Sequence, residues 1–317
     1  MEVAIEATGL EKTYPKGVRA LDGLSFVTEA GTVFALLGPN GAGKSTAVKI
    51  LTTLTRPDAG SASVAGIDVV AQPDRVRRTI GAVSQASGVD IRATGRENLR
   101  LQGQLYGLRG PDLERRIGEL LEAFGLANAA DRIARGYSGG MQRRLDIAMA
   151  LIHDPRVLFL DEPTTGLDPE VRADMWQEIS GLATEQGKSV LLTTHYLEEA
   201  DQLAAQVAIV DRGKVVAEGT PEELKRELRG DAIHVELEVP ANGAVHAALG
   251  GVEGVREIAV DGQVVRARAD DGGRAVPTLL QALEAHGVAV SSVQVRRPSL
   301  DDVYLKYAGR TFEEAER

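Results

Sequence analysis

Apolar positions change their spacing several times along this chain. The run at 32–37, "TVFALL", is continuous and strand-length, and it enters "GPNGAGKST" before a helix that opens near Lys44. The rest of the first 60 residues reads as short strands separated by turns, and 61–85 as further short strands around Gly-Ile-Asp and Gln-Pro-Asp turns. From about Gly95 to Ala130 the period becomes helical: Leu113, Ile117, Leu120, Leu121 and Phe124 recur every three or four residues with charges between them. Helix 139–152, strand 157–161, helix 170–186, strand 189–194, helix 197–203 and strand 206–210 then alternate. That alternation predicts an α/β fold built on a parallel sheet with covering helices.

Near Gly230 the character changes. "AIHVELEV" reads as a strand, "NGAVHAALGG" as a short helix, and "VREIAVDG" with "QVVRARAD" as a hairpin about Asp-Gly. "VPTLLQALEAHG" reads as a helix and "VAVSSVQVR" as a strand; a helix at 299–308 and an acidic tail follow. The order βαββαβ predicts a small ferredoxin-like α+β domain. We place the domains at 1–230 and 231–317, in keeping with a 317-residue chain at about 150 residues per domain.

Charge narrows the field. Forty-six acidic against 36 basic residues leave a net charge of -10, which argues against the broad basic face of sequence-independent nucleic-acid binding. Small basic spots at Arg75, Arg77, Arg78, Arg115 and Arg116 read as solvated helix faces, and no nucleic-acid partner is expected. The absence of cysteine excludes disulfides, thiolate metal sites and Cys nucleophiles. Without a basic n-region or an apolar run of about 18 residues, the chain reads as soluble and intracellular.

The glycine-rich turn carries chemistry. Gly38, Pro39, Asn40, Gly41, Ala42, Gly43, Lys44, Ser45 and Thr46 match the pattern G-x-x-x-x-G-K-[ST], with the strand before and the helix after that the mechanism demands. Glycines turn backbone N–H groups inward, and a helix N-terminus adds positive potential toward phosphate. Lys44 is expected on the β- and γ-phosphates and Ser45 on Mg²⁺. The apolar strand "VLFL" (157–160) delivers Asp161 and Glu162 at the end where parallel sheets gather ligands. Asp161 is placed to hold Mg²⁺, and Glu162 is the better general base for the attacking water.

"YSGGMQRRLDIAMAL" (137–151) resembles the signature motif of the ATP-binding cassette (ABC) family, with Tyr137 for the usual Leu and Met141-Gln142 where Gln follows the glycines. Other motifs similar to the family's stand in order: Tyr14 in "KTYPKG", Gln85 in "AVSQASG", Asp168 in "GLDP" and His195 after "VLLTT". The resemblance implies an ABC nucleotide-binding domain, a P-loop NTPase with a RecA-like core and a helical subdomain at about 86–150. It implies ATP and Mg²⁺ as bound groups, Tyr14 stacked on adenine, Gln85 sensing Mg²⁺ and γ-phosphate, and His195 steadying the γ-phosphate. It also implies a head-to-tail pair, either a homodimer or a sister cassette. Each ATP would lie between one P-loop and the other chain's Ser138, Gly139 and Gly140, with Asp168 in the D-loop beside them.

Together "TYPKGVRALDGLSF", "TTGLD" and the ending "RRPSLDDVYLKYAG" look like the daunorubicin-resistance and multidrug-efflux branch, which works with separate permeases of the ABC-2 type. That implies an ATPase attached through a permease to the inner face of the cell membrane. The rival is a soluble, non-transport ABC ATPase acting as a nucleotide-dependent clamp; such proteins usually show two cassettes or a coiled-coil insertion, and neither is present here.

Overall fold

In the computed structural model, residues 2–316 are described except 229, 241–244, 246–247 and 253. The chain divides into two compact units, Met1–Pro221 with Phe312–Arg317, and Glu222–Thr311. The segment between Pro221 and Gly230, which the sequence placed with the first domain, therefore groups with the second unit.

The first unit holds two sheets. Strands β1 (Val3–Tyr14), β2 (Val18–Glu29), β4 (Ala59–Val64) and β5 (Ile67–Asp68) form an antiparallel sheet in the order β2-β1-β4-β5. β1 and β2 are 12 residues each, longer than the short strands expected. Register shifts break their pairing, one of them between Ala7 and Leu10, around Gly9. Such bulges insert extra residues and interrupt the alternation by which a long strand is recognised.

The second sheet contains β3 (Val33–Leu37), β6 (Ile80–Val83), β7 (Val157–Asp161), β8 (Ser189–Thr194), β9 (Gln206–Asp211) and β10 (Lys214–Gly219). Its order is β10-β9-β3-β8-β7-β6, parallel except for the β9–β10 hairpin. Every residue of β3, β7 and β8 is buried, as continuous apolar runs require when helices cover both faces. Register aligns the strand ends: Leu37 pairs with Thr194, Asp161 with Thr193, and Val83 with Leu160. The residues that follow, Gly38, His195, Glu162 and Ser84-Gln85, therefore emerge along one edge.

Between the sheets lies a core that includes Ile5, Leu10, Leu24, Phe26, Phe34, Leu36, Ile50 and Phe159, with Phe26 stacked on Phe34 at 5.3 Å. The helical lobe is built from Gly95–Leu105, Gly110–Ala123 and Gly139–Leu151. Its first helix opens on a capping box, Thr94 with Glu97. Pro73–Thr79 is a helix where strands and a turn were expected. It is seven residues long with Val76 alone buried, so there was no apolar stripe to read.

The second unit carries β11 (Asp231–Leu237), β12 (Val255–Asp261), β13 (Val264–Ala269) and β14 (Val290–Arg296) in one antiparallel sheet, order β12-β13-β11-β14. That is the ferredoxin-like strand order. The Gly272–Ala285 helix buries Leu279 and Leu283 in a core with Ile233, Val235 and Val265. The short helix expected over 242–251 lies partly outside the described residues. The Leu300–Ala308 helix opens on a Ser299–Asp302 capping box. Among the described residues, no helix is long and apolar enough to cross a membrane.

Candidate functional site

β3 delivers Gly38 into a tight loop, and the Lys44–Leu51 helix leaves it. Gly43 has φ 113°, and a Cβ there would lie 2.4 Å from the Ala20 carbonyl oxygen, so only glycine fits. Lys44 is 4% exposed. Its ammonium donates to the carbonyls of Gly38 (2.6 Å) and Pro39 (3.1 Å) and lies 4.0 Å from Glu162 Oε1. A buried cation held by the carbonyls of a glycine-rich loop at a helix N-terminus is an arrangement that can take a polyphosphate. Ser45 Oγ donates to Asp161 Oδ1 at 3.1 Å, which joins the first helical turn to the end of β7.

Thr193, on β8, donates its hydroxyl to the same Asp161 Oδ1 at 2.5 Å and accepts from the Glu162 N–H at 3.1 Å. Asp161 and Ser45 offer Mg²⁺ one carboxylate and one hydroxyl. That sparse hard-oxygen set suits an ion that keeps water and phosphate oxygens in its shell. Among the described residues, no group of three or more acids and histidines forms a metal cage. The donors present thus fit Mg²⁺ bound together with a phosphate ligand.

Glu162 is a non-glycine residue at φ 50°, a sparsely populated conformation that turns its side chain out of the strand direction. Its carboxylate is 8% exposed. Oε2 accepts from Gln85 Nε2 and Thr165 Oγ1, both at 3.3 Å, and His195 Nδ1 lies 3.4 Å away. The His195 imidazole, and more weakly the Lys44 ammonium, hold the Glu162 carboxyl below its ordinary range against the opposing pull of burial. The His195 ring lies tilted by 42° against that of Tyr196, centroids 4.2 Å apart, and the Arg172 guanidinium sits over the Tyr196 ring at 4.4 Å.

The other residues singled out from the sequence lie elsewhere in the unit. Tyr14 ends β1, half-buried and paired across the sheet with Val18. Ser138 caps the Gly139–Leu151 helix by accepting from the Met141 N–H. A Cβ on Gly140 would meet Val171 Cγ1 at 2.5 Å, and one on Gly139 would touch Leu167. Asp168 is the exposed N-cap of Pro169–Thr184. The partners of Ser138–Gly140 thus belong to their own helix and to the segment around Asp168. Tyr137 is buried and donates to the Ala129 carbonyl at 2.6 Å, anchoring the motif to the helical lobe.

Sequence reasoning passed over four residues that shape this site. Thr193 was read only as strand. Arg143 and Asp146 fall within the helix expected over 139–152, with no separate role given to them, yet both are buried. Glu199 is wholly buried, accepting from Thr164 Oγ1 (2.7 Å) and Trp176 Nε1 (3.1 Å), and burial pushes its carboxyl above the ordinary range. The signal available was spacing: Asp146 follows Arg143 by three residues, among Leu145, Ile147 and Ala148, where a solvated pair would be out of place.

Residues 21–165 match the family model described as ABC transporter, and 219–308 the C-terminal domain of ATP-binding proteins like DrrA1-3. The chain is 46% identical to daunorubicin resistance ATP-binding protein DrrA2 of Streptomyces coeruleorubidus, over 99% of this chain and 97% of that one. It is 37% identical to Nod factor export ATP-binding protein I of Ralstonia nicotianae, over 96% and 94%. Among solved structures, a dimeric ATP-binding cassette in a post-hydrolysis state with ADP and phosphate superposes with TM-score 0.62 and 28% identity, over 68% of this chain and 98% of that one. Likeness over nearly the whole sequence, with a glycine-rich loop around a buried lysine and a carboxylate on positive-φ backbone at adjoining strand ends, places the chain in the ABC transporter family as one of its ATPases.

Proposed function

We propose that this chain is the ATP-hydrolysing subunit of an exporter whose substrate path lies in a separate permease of the ABC-2 type, and that its cargo is a drug or another hydrophobic compound. The observation that carries the reading is that likeness to a daunorubicin resistance protein runs through the second unit as well as the first. The relative named for Nod factor export adds a second export precedent at lower identity. The chain would sit on the cytoplasmic face of the cell membrane, held there by the permease, and work as a homodimer.

In this mechanism the loop amides of Gly38–Thr46 and the Lys44 ammonium bind the β- and γ-phosphates, and Tyr14 stacks on the adenine. Ser45, Asp161 and Gln85 would hold Mg²⁺, which when bound neutralises phosphate charge. Glu162 orients a water and takes its proton as the water oxygen attacks the γ-phosphorus. The bond to the ADP oxygen breaks, and charge leaves with ADP and phosphate. His195 and Lys44 hold Glu162 in the ionised form, the form that can accept that proton. His195 steadies the γ-phosphate. Ser138, Gly139 and Gly140 of each chain close over the ATP of the other, with Asp168 beside them, so ATP joins the pair and hydrolysis releases it.

Co-expression tests the reading. The chain should enter the membrane fraction only alongside a multi-span membrane protein encoded beside it, and the pair should lower cellular drug accumulation in an ATP-dependent way. A chain that stays out of membranes with that protein present, and leaves drug accumulation unchanged, would overturn it.

A further inference from the structure

The Gly139–Leu151 helix carries two buried charged side chains that the mechanism above leaves unused. Arg143 is 8% exposed, and its guanidinium spends its donors on backbone carbonyls. Nε donates to Pro163 (2.8 Å), Nη1 to Ser84 (2.7 Å), and Nη2 to Asp161 (3.0 Å) and Glu162 (3.2 Å). Asp146, one turn further on, is 6% exposed, and its Oδ1 accepts from the Gly88 N–H at 2.9 Å. Positions three apart share a helix face, so both grips come from one side of one turn.

The consequence is geometric. The segment that carries Gln85 is held at both ends, Ser84 by Arg143 and Gly88 by Asp146. The same arginine holds three successive carbonyls, 161 to 163, around Glu162. Gln85 and Glu162, 3.3 Å apart, are therefore both fastened to the helix that begins at Ser138. A rigid helix carries a shift of its first turn along its length, and burial of a guanidinium is tolerated only where its donors are met, as here.

We propose that Arg143 and Asp146 are positioning residues that lock Gln85 and Glu162 to the Ser138-capped helix, so that seating Ser138–Gly140 on a nucleotide held by a second copy sets the geometry of this chain's own hydrolytic carboxylate. The inference rests on Glu162 as the base and on the paired arrangement given above. Arg143→Lys keeps the charge but cannot span four carbonyls. Asp146→Ala removes the grip on Gly88, and Asp146→Asn keeps the acceptor.

The test uses the full chain and reads kcat, ATP affinity by equilibrium binding, and the thermal transition. Arg143→Lys and Asp146→Ala should each lower kcat by about tenfold or more, as misplacement of reacting groups does, with ATP affinity within about threefold. Asp146→Asn should restore kcat to within about twofold, and the Arg143→Lys/Asp146→Ala double variant should fall little below the worse single one, since parts of one unit are not additive. Folded single variants with kcat within about twofold of the parent would overturn the proposal, and so would parallel losses of affinity and kcat. Loss of the cooperative thermal transition in both single variants would assign the pair to stability alone and also overturn it. Turnover that survives Glu162→Gln fails the base assignment instead, and is read in that variant separately.

Discussion

His195 Nδ1 stands 3.4 Å from Glu162 Oε2, each residue being the first to follow its own strand in the parallel sheet. The imidazole is the largest influence holding the Glu162 carboxyl below the ordinary 4.5, and burial works against it. In His195→Ala burial is left less opposed, so the carboxyl moves up. The acid limb of the residual hydrolysis should shift to higher pH, which a kcat–pH profile of the variant checks. An unmoved limb would separate the two groups.

Glu162→Gln should lower kcat by about 10²- to 10⁴-fold, the range a general base contributes. ATP binding should survive, so an ATP-bound dimer accumulates and elutes early in size-exclusion chromatography. A variant that stays monomeric in ATP and hydrolyses at the parental rate would remove Glu162 from its role.

Lys44→Ala should abolish hydrolysis and weaken ATP binding together, because the ammonium faces the loop carbonyls and Glu162 before any chemistry starts. Phosphate release and equilibrium ATP binding measure the two effects. Turnover at the parental rate would overturn the phosphate-loop assignment.

Glu199 titrates in the opposite sense to Glu162. Burial raises its folded pKa above 4.5, so its contribution to stability is complete below the unfolded value and is lost as pH rises through the folded one. Glu199→Gln keeps an acceptor for Thr164 and Trp176 but has no charge to bury. Its Tm should therefore rise relative to the parent between about pH 5 and about pH 8. An equal Tm difference at both ends would leave ionisation of Glu199 without a part in stability.

Gly140→Ala should destabilise the first unit by about 1–3 kcal/mol, the range for overpacking, because its Cβ meets Val171 Cγ1 at 2.5 Å. Val171→Ala in the same chain should recover most of the loss, read by urea denaturation. Failure to recover would place the strain elsewhere.

How far the sequence could be read follows from how each element declares itself. β7 and β8 appear at the bounds their apolar runs suggested, since full burial leaves an unbroken signal. The glycine loop was legible because its chemistry needs particular residues at fixed spacing. Pro73–Thr79 and the long β1–β2 pair were not, one for want of an apolar stripe and the other because bulges break its alternation. Arg143 escaped for a different reason: its partners are backbone carbonyls of Ser84 and residues 161–163, and a carbonyl has no letter in a sequence.

The shared edge of the parallel sheet also bears on the order in which the chain can become active. β3 lies between β8 and β9, both of which follow it by more than a hundred residues, and β7 needs β8 for Thr193. A ribosome will have released the cradle of Gly38–Thr46 long before it releases Ser189–Thr194. Until β8 arrives, Asp161 and Glu162 lack the Thr193 hydroxyl that anchors them, and His195 has not been made. An unfinished chain can thus hold the residues of the glycine loop before the Asp161–Thr193 and Glu162–His195 contacts of the candidate site exist, and β8 is the strand that completes them.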